Sequence, residues 1–176
     1  MSQRQDFEAR VLPHLDVGYN LARWLLRNEP SAEDAVQEAA VRAFRYLDAL
    51  RGDDARAWWL GIVRNTCFTM LERQRNGPEW VDFDAAEFEA ALGAADRSSS
   101  DPAALLQRGR TRVQIDAAIR ALSPPLREVL VLREFEDLDC AQIAAIAAVP
   151  IGTVMSRLSR AREKLRRALA QISLGE

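Results

Sequence analysis

The stretch LDCAQIAAIAAVPIGTVMSRLSRAREKLRRAL, residues 138–169, decides how the chain is read. Asp139 and Gln142 stand three apart, the capping-box spacing, ahead of an apolar run. Ile143, Ile146 and Ala147 then fall on one helical face. Val149-Pro150-Ile151-Gly152 interrupts the pattern, since a proline and a glycine two apart mark a turn. A second, longer helix follows. Val154, Leu158, Ala161, Leu165 and Leu169 line one side of it, while Arg157, Arg160, Arg162, Lys164, Arg166 and Arg167 lie mostly elsewhere. A short helix, a tight turn and an Arg-rich helix are the parts of a helix-turn-helix, whose second helix enters the DNA major groove. From Thr153 to Ala170 there are six cations and one anion, Glu163. Gly152, Thr153 and Ser156 put small or uncharged residues at the helix start, where backbone approaches phosphate closely.

Working outward, 176 residues suffice for one domain or two small ones. The 24 cations and 26 anions leave a formal net charge of −2, which limits non-specific affinity for DNA. The distribution is uneven. Residues 1–76 carry 11 of each sign, 77–110 carry 3 cations and 7 anions, and 111–176 carry 10 and 8. That pattern points to a protein that binds DNA poorly alone and works inside a larger complex. Cys67 and Cys140 form no metal-ligand spacing with the single His14, and the two cysteines read as small buried thiols in a reducing cytosol. No cofactor is expected. The N-terminus is polar, and no run approaches membrane-spanning length, so no membrane insertion is expected.

The pattern is helical nearly throughout, without an alternating strand segment, which makes the fold class all-α. Residues 5–28 read as a first helix with Phe7, Val11, Leu15, Leu21, Trp24 and Leu25 as buried candidates, and Pro13 as a bend. Ser31 is expected to cap a second helix running to about Leu50 and burying Ala35, Val36, Ala39, Ala43, Phe44 and Leu47. After the turn Arg51-Gly52-Asp53-Asp54, a third helix runs from about Ala55 to Gln74. Three helices with short connections make a compact bundle. Residues 77–102 have linker composition, with a transient helix over 87–95. A helix from Ala103 to about Leu122 and another from Pro124 to about Phe135 lead into the helix-turn-helix.

With both halves in view, the sequence resembles the extracytoplasmic-function (ECF) group of bacterial RNA polymerase sigma factors. SAEDAVQEAAVRAFRYLDALRGDDARAWWLGIVRNT, residues 31–66, looks like sigma region 2. LSPPLREVLVLREFEDLDCAQIAAIAAVPIGTVMSRLSRAREKLRRAL, residues 122–169, looks like sigma region 4. The resemblance implies a three-helix bundle of region 2 over 1–76, a flexible acidic linker over 77–102, and a helix-turn-helix domain of region 4 over 103–176. It also implies a cytoplasmic, nucleoid-associated protein that binds core RNA polymerase and directs it to promoters. Region 2 would contact the clamp helices of the largest subunit and melt the minus-ten element. Region 4 would bind the minus-thirty-five element and the polymerase flap. An anti-sigma factor is the implied regulatory partner.

Carried residue by residue, the resemblance assigns Asp34, Gln37, Glu38 and Arg42 to the polymerase surface. Asp34, Glu38 and Arg42 also share a stripe by their spacing of four. Arg51, Gly52 and Asp53 fall in the loop that captures a flipped minus-ten base, and extruding a base costs a few kcal/mol that a shaped pocket must offset. Trp58 and Trp59 point about 100° apart on a helix, so they cannot share a face. Trp58 is expected in the core. Trp59 is left between further core packing and stacking at the edge of melted DNA. Arg64 and Asn65 fall where the family reads the upstream edge of the minus-ten element, and Arg73 and Arg75 are phosphate candidates. In region 4 the minus-thirty-five candidates are Thr153, Met155, Ser156, Arg157, Ser159, Arg160 and Lys164. Met155 departs from the family pattern, where arginine or lysine is common. Losing that donor removes a bidentate base contact of roughly 1–3 kcal/mol.

Two other function classes compete. A stand-alone helix-turn-helix transcription regulator would use the front bundle to sense or dimerise, and it would bind duplex DNA without polymerase. An enzyme would need a nucleophile–base pair, a phosphate loop or a metal cluster, and the sequence offers none.

Overall fold

A computed structural model describes residues 2–75 and 103–173, with side chains described over 2–75 and 109–171. The linker 77–102 and the helix expected over 87–95 lie outside the described residues. The protein is all-α. Its described helices are α1 (Gln3–Arg10), α2 (Leu15–Leu26), α3 (Glu29–Arg45), α4 (Ala55–Gln74), α5 (Ala103–Arg120), α6 (Pro124–Glu134), α7 (Cys140–Ala147) and α8 (Ile151–Ser173). Two packed units result: residues 2–75 with 131–155, and residues 103–130 with 156–173.

In the first unit the expected single N-terminal helix is two. Pro13 cannot donate its backbone nitrogen, and a 3-10 turn over Leu12–His14 breaks the helix there. Ser2 closes α1 with a capping box to Gln5. The second helix starts earlier than expected. Asn28, not Ser31, is its N-cap and accepts from the Ser31 amide at 2.9 Å, with Pro30 in the first turn. It also ends earlier, at Arg45, before a 3-10 turn over Leu47–Ala49. The third helix begins where expected, because Asp54 caps it through the Ala57 amide at 2.9 Å.

Helices α2, α3 and α4 pack pairwise. Ala32, Ala35, Ala39 and Ala43 form a fully buried small-residue stripe on α3, which lets Leu21 and Leu25 of α2 and Leu60 and Val63 of α4 close the core. Each such leucine contributes about 2 kcal/mol by burial. Val11, Leu21 and Leu25 are buried as expected, while Phe7, Leu15 and Trp24 are half-buried. Phe44 is exposed rather than buried, edge-on to Phe7 with ring centroids 5.6 Å apart. Thr66 is buried, and its hydroxyl donates to the Ile62 carbonyl one turn back at 2.9 Å.

Helix α7 packs on α4 in the same unit. The segment before it is also anchored there. Phe135 stacks on Trp24 with centroids 5.3 Å apart, and Arg56 donates to the Glu136 carbonyl at 2.9 Å and its carboxylate at 3.1 Å. Asp139 caps α7 in the expected capping box: its carboxylate accepts from the Gln142 amide at 2.8 Å, and its own amide donates to Gln142 Oε1 at 3.1 Å. The turn that follows is not made where the glycine suggested. Ala148 takes the left-handed conformation, φ 54°, and closes α7 onto the Ala144 carbonyl. Gly152 sits inside the first turn of α8, and the Thr153 and Val154 amides donate to Pro150 at 3.0 and 3.2 Å. A left-handed alanine is strained by roughly 1 kcal/mol relative to glycine. Ala148→Gly is therefore expected to raise the melting temperature by about 2–4 °C. A scanning-calorimetry trace with no upward shift would count against this geometry.

In the second unit Ala117 and Ala118 of α5, with Ala121 just beyond its end, pack on Ala168 of α8, with Leu165 partly buried against them. Leu169, expected in this stripe, is only half-buried, and Ala168 takes its place.

Candidate nucleic-acid interface

Helix α8 carries the clearest separation of faces. Val154, Leu158 and Ala161 are buried, while Met155, Ser156, Ser159, Arg160 and Arg162 are exposed. Between α7 and α8 the chain bends by 102°, within the range of a helix-turn-helix. Thr153 and Lys164 are half-buried at the flanks. Arg157 differs from the other candidates. It is half-buried, and its Nη1 is sealed from solvent, which turns the guanidinium toward the protein rather than toward a phosphate. Arg166 and Arg167 both donate to Glu163, the latter at 2.8 Å. The bonds from Arg166 and then Arg167 hold the Glu163 carboxyl below its usual range. Those two cations are thus partly neutralised within the helix, and Arg160 and Arg162 are exposed further toward its start.

On α3 the spacing of four does what it predicted. Asp34 and Gln37 are exposed, and Glu38 and Arg42 pair at 2.5 Å with side chains about two-fifths exposed. The sequence reading passed over Val41. It is 52% exposed on this face, amid the charged residues, and its exposure is visible only once the alanine stripe is seen to hold the other side of the helix.

The loop Arg51-Gly52-Asp53 is exposed throughout. Gly52 has φ 78°, a conformation that glycine adopts without strain. Arg10 of α1 donates to the Gly52 carbonyl at 2.8 Å and so fixes the loop from across the bundle. On α4 the expectation that Trp58 lies in the core fails, and of the two readings left open for Trp59 the structure gives core packing. Trp59 is wholly buried, with its ring against Gly18 of α2, and Trp58 is the half-exposed one. A buried ring of that size cannot serve as a wedge for DNA. Trp58 and Asn65 lie seven positions apart, hence nearly on one line along the helix. Arg64 instead lies over the Phe68 ring, its Cζ 4.0 Å from the centroid, and donates to Asn65 at 3.2 Å. Arg73 and Arg75 are exposed at the helix end. Among the described residues no group of three His, Cys, Asp or Glu could hold a metal ion. No single described helix is long and apolar enough to cross a membrane.

A bundle with a charged stripe, followed by a helix-turn-helix, defines a two-part transcription factor, and the comparisons with known proteins say which kind. Residues 11–77 match the family described as Sigma-70 region 2, and residues 112–165 match Sigma-70, region 4. The chain is 37% identical to the ECF RNA polymerase sigma-E factor of Escherichia coli K12 over 167 residues, 93% of this chain and 87% of that one. It is 34% identical to the RNA polymerase sigma-H factor of Pseudomonas aeruginosa over 170 residues, 94% and 87% of the two chains. The fold matches the sigma factor RpoE of Bartonella quintana, solved with the anti-sigma factor NepR, at a TM-score of 0.69 and 28% identity, covering 94% of this chain and 98% of that one. The chain belongs to the sigma-70 family of RNA polymerase sigma factors, in its ECF group.

Proposed function

We propose that region 2 spans residues 1–76, region 4 spans 103–176, and 77–102 link them, and that each region holds one end of a promoter once core RNA polymerase is bound. Asp34, Gln37, Glu38 and Arg42, around the exposed Val41, meet the clamp helices of the largest subunit. Arg51, Gly52 and Asp53 receive the flipped minus-ten base, with Arg64, Asn65 and Arg73 along α4, and Trp58 replaces Trp59 as the aromatic at the melted edge. Thr153, Met155, Ser156, Ser159, Arg160 and Lys164 face the minus-thirty-five duplex, and region 4 also meets the flap. The protein catalyses no reaction of its own and acts in the cytoplasm at the nucleoid, without membrane insertion. An anti-sigma factor is its regulatory partner, a reading supported by the Bartonella relative, which was solved with one.

The observation that carries this is the outward face of α8: sealed behind by Val154, Leu158 and Ala161, it offers Ser156, Ser159 and Arg160 to a groove. Run-off transcription on genomic fragments with bacterial core polymerase tests it. Added chain is expected to produce discrete promoter-dependent transcripts. Arg160→Ala, an exposed change, is expected to lower them about tenfold or more, the loss of one good base or phosphate contact. No added transcription, with tight duplex binding by the chain alone, would mark a stand-alone regulator instead.

A further inference from the structure

Part of the outward face of α8 is neither charged nor polar. Ile151 and Met155 stand one turn apart in its first two turns, 47% and 60% exposed. Both side chains are held outward, because Val154 between them is fully buried and fixes the rotation of the helix. The helix surface at Gly152 beside them is also open, since a Cβ added there would meet no atom within 4 Å. Single exposed apolar residues are ordinary, but a pair on adjacent turns at the start of a recognition helix lies where base edges are met. The exposed Arg160 and Arg162 further along the same helix complement phosphate charge and bring that end to the groove. In the major groove the apolar feature of a base edge is the C5 methyl of thymine.

We propose that Ile151 and Met155 read two thymine methyl groups in the upstream promoter element, so that preference there is set by van der Waals contact. The inference rests on the assignment of α8 to the minus-thirty-five duplex. Cβ atoms four residues apart on a helix are separated by about 6 Å. Successive bases along a strand rise about 3.4 Å. The two methyls accordingly belong to thymines about two steps apart.

Holoenzyme assembled from the full chain and bacterial core polymerase would select promoters from a library randomised upstream. Each thymine of the recovered element is then replaced singly by deoxyuridine, which removes the methyl and leaves pairing intact. Removal at two positions is expected to weaken wild-type binding about fourfold each. Met155→Ala is expected to lose the thymine preference at one of them and Ile151→Ala at the other. Met155→Arg is expected to move the preference at its position from thymine to guanine, whose O6 and N7 accept from a guanidinium. Both side chains are exposed, and unchanged melting curves for the alanine variants confirm that the fold is intact. The inference is overturned if the element holds no thymine, if wild type ignores every deoxyuridine, or if both alanine variants keep the full preference. Recovery of no upstream element at all is a different failure, which overturns the assignment of α8 and this inference with it.

Discussion

Trp59→Ala is expected to destabilise the front bundle by about 3–5 kcal/mol, the range for deleting a buried aromatic. Trp58→Ala, one position away, is expected to cost under about 1 kcal/mol. The difference follows from burial: Trp59 has no exposed surface, and Trp58 is half-exposed. The other half of the contact gives a sharper test. Gly18 lies in the interior of α2, where alanine is ordinarily about 1 kcal/mol better than glycine. Here a Cβ would stand 2.4 Å from Trp59 Nε1 and 2.8 Å from Cε2, so the sign inverts. Gly18→Ala is expected to cost about 1–3 kcal/mol by overpacking. Trp59→Phe is expected to be mild by itself, since the buried Nε1 has no acceptor among the described residues. It is also expected to relieve part of the Gly18→Ala loss. Urea unfolding of the four single variants and the double variant reads all of this. If Trp58→Ala cost more than Trp59→Ala, the packing of α2 on α4 described above would be wrong. Functionally the two tryptophans should separate as well: Trp58→Ala keeps the fold and lowers open-complex formation, whereas Trp59→Ala lowers soluble protein.

The second large effect is expected at Arg127. Its side chain has no exposed surface, as is true of Glu128 next to it. A guanidinium buried in this way is tolerated only when its donors are engaged. Arg127 Nη1 donates to the carbonyl of Arg120, the last residue of α5, where the helix presents the negative end of its dipole. Arg127→Ala removes that bond and leaves a cavity, for an expected loss of about 3–5 kcal/mol. Arg127→Lys is expected to recover little, because a lysine ammonium lacks the planar fork that reaches a carbonyl while meeting other acceptors. Arg127→Met fills the volume without the charge and separates the two contributions. Stability of the methionine variant at or above wild type, by chemical denaturation, would show that the buried cation is dispensable to the fold. None of these changes lies on the outward face of α8. Base preference of whatever holoenzyme assembles should therefore be unaltered.

Several features were legible from local pattern. The Asp139–Gln142 box starts α7 where the spacing put it, and Asp54 starts α4. The 154/158/161/165 stripe of α8 and the charged stripe of α3 follow from a period of 3.6 residues, which needs no knowledge of neighbours. The paired resemblance to regions 2 and 4 carried the family, and the matches over 11–77 and 112–165 agree with it. Helix starts were less secure. Asn28 and Ser31 are both good caps, and Pro30 selects between them because it sits well only in a first turn. The turn at Ala148 was missed for a related reason: alanine has no propensity for a left-handed conformation, and only the packing on both sides of the turn imposes it.

Periodicity and capping are properties of a few neighbouring residues, and they are enough to specify the all-helical architecture, the helix-turn-helix and the stripes that face solvent. The packed fold was needed to show which of two adjacent tryptophans is buried, that Arg157 turns inward, and that Arg127 has no exposed surface. Each of these depends on a partner far along the chain or on the summed shape of a core. Gly18 admits Trp59 because it has no side chain, and no rule of spacing links a glycine in the second helix to a ring in the fourth.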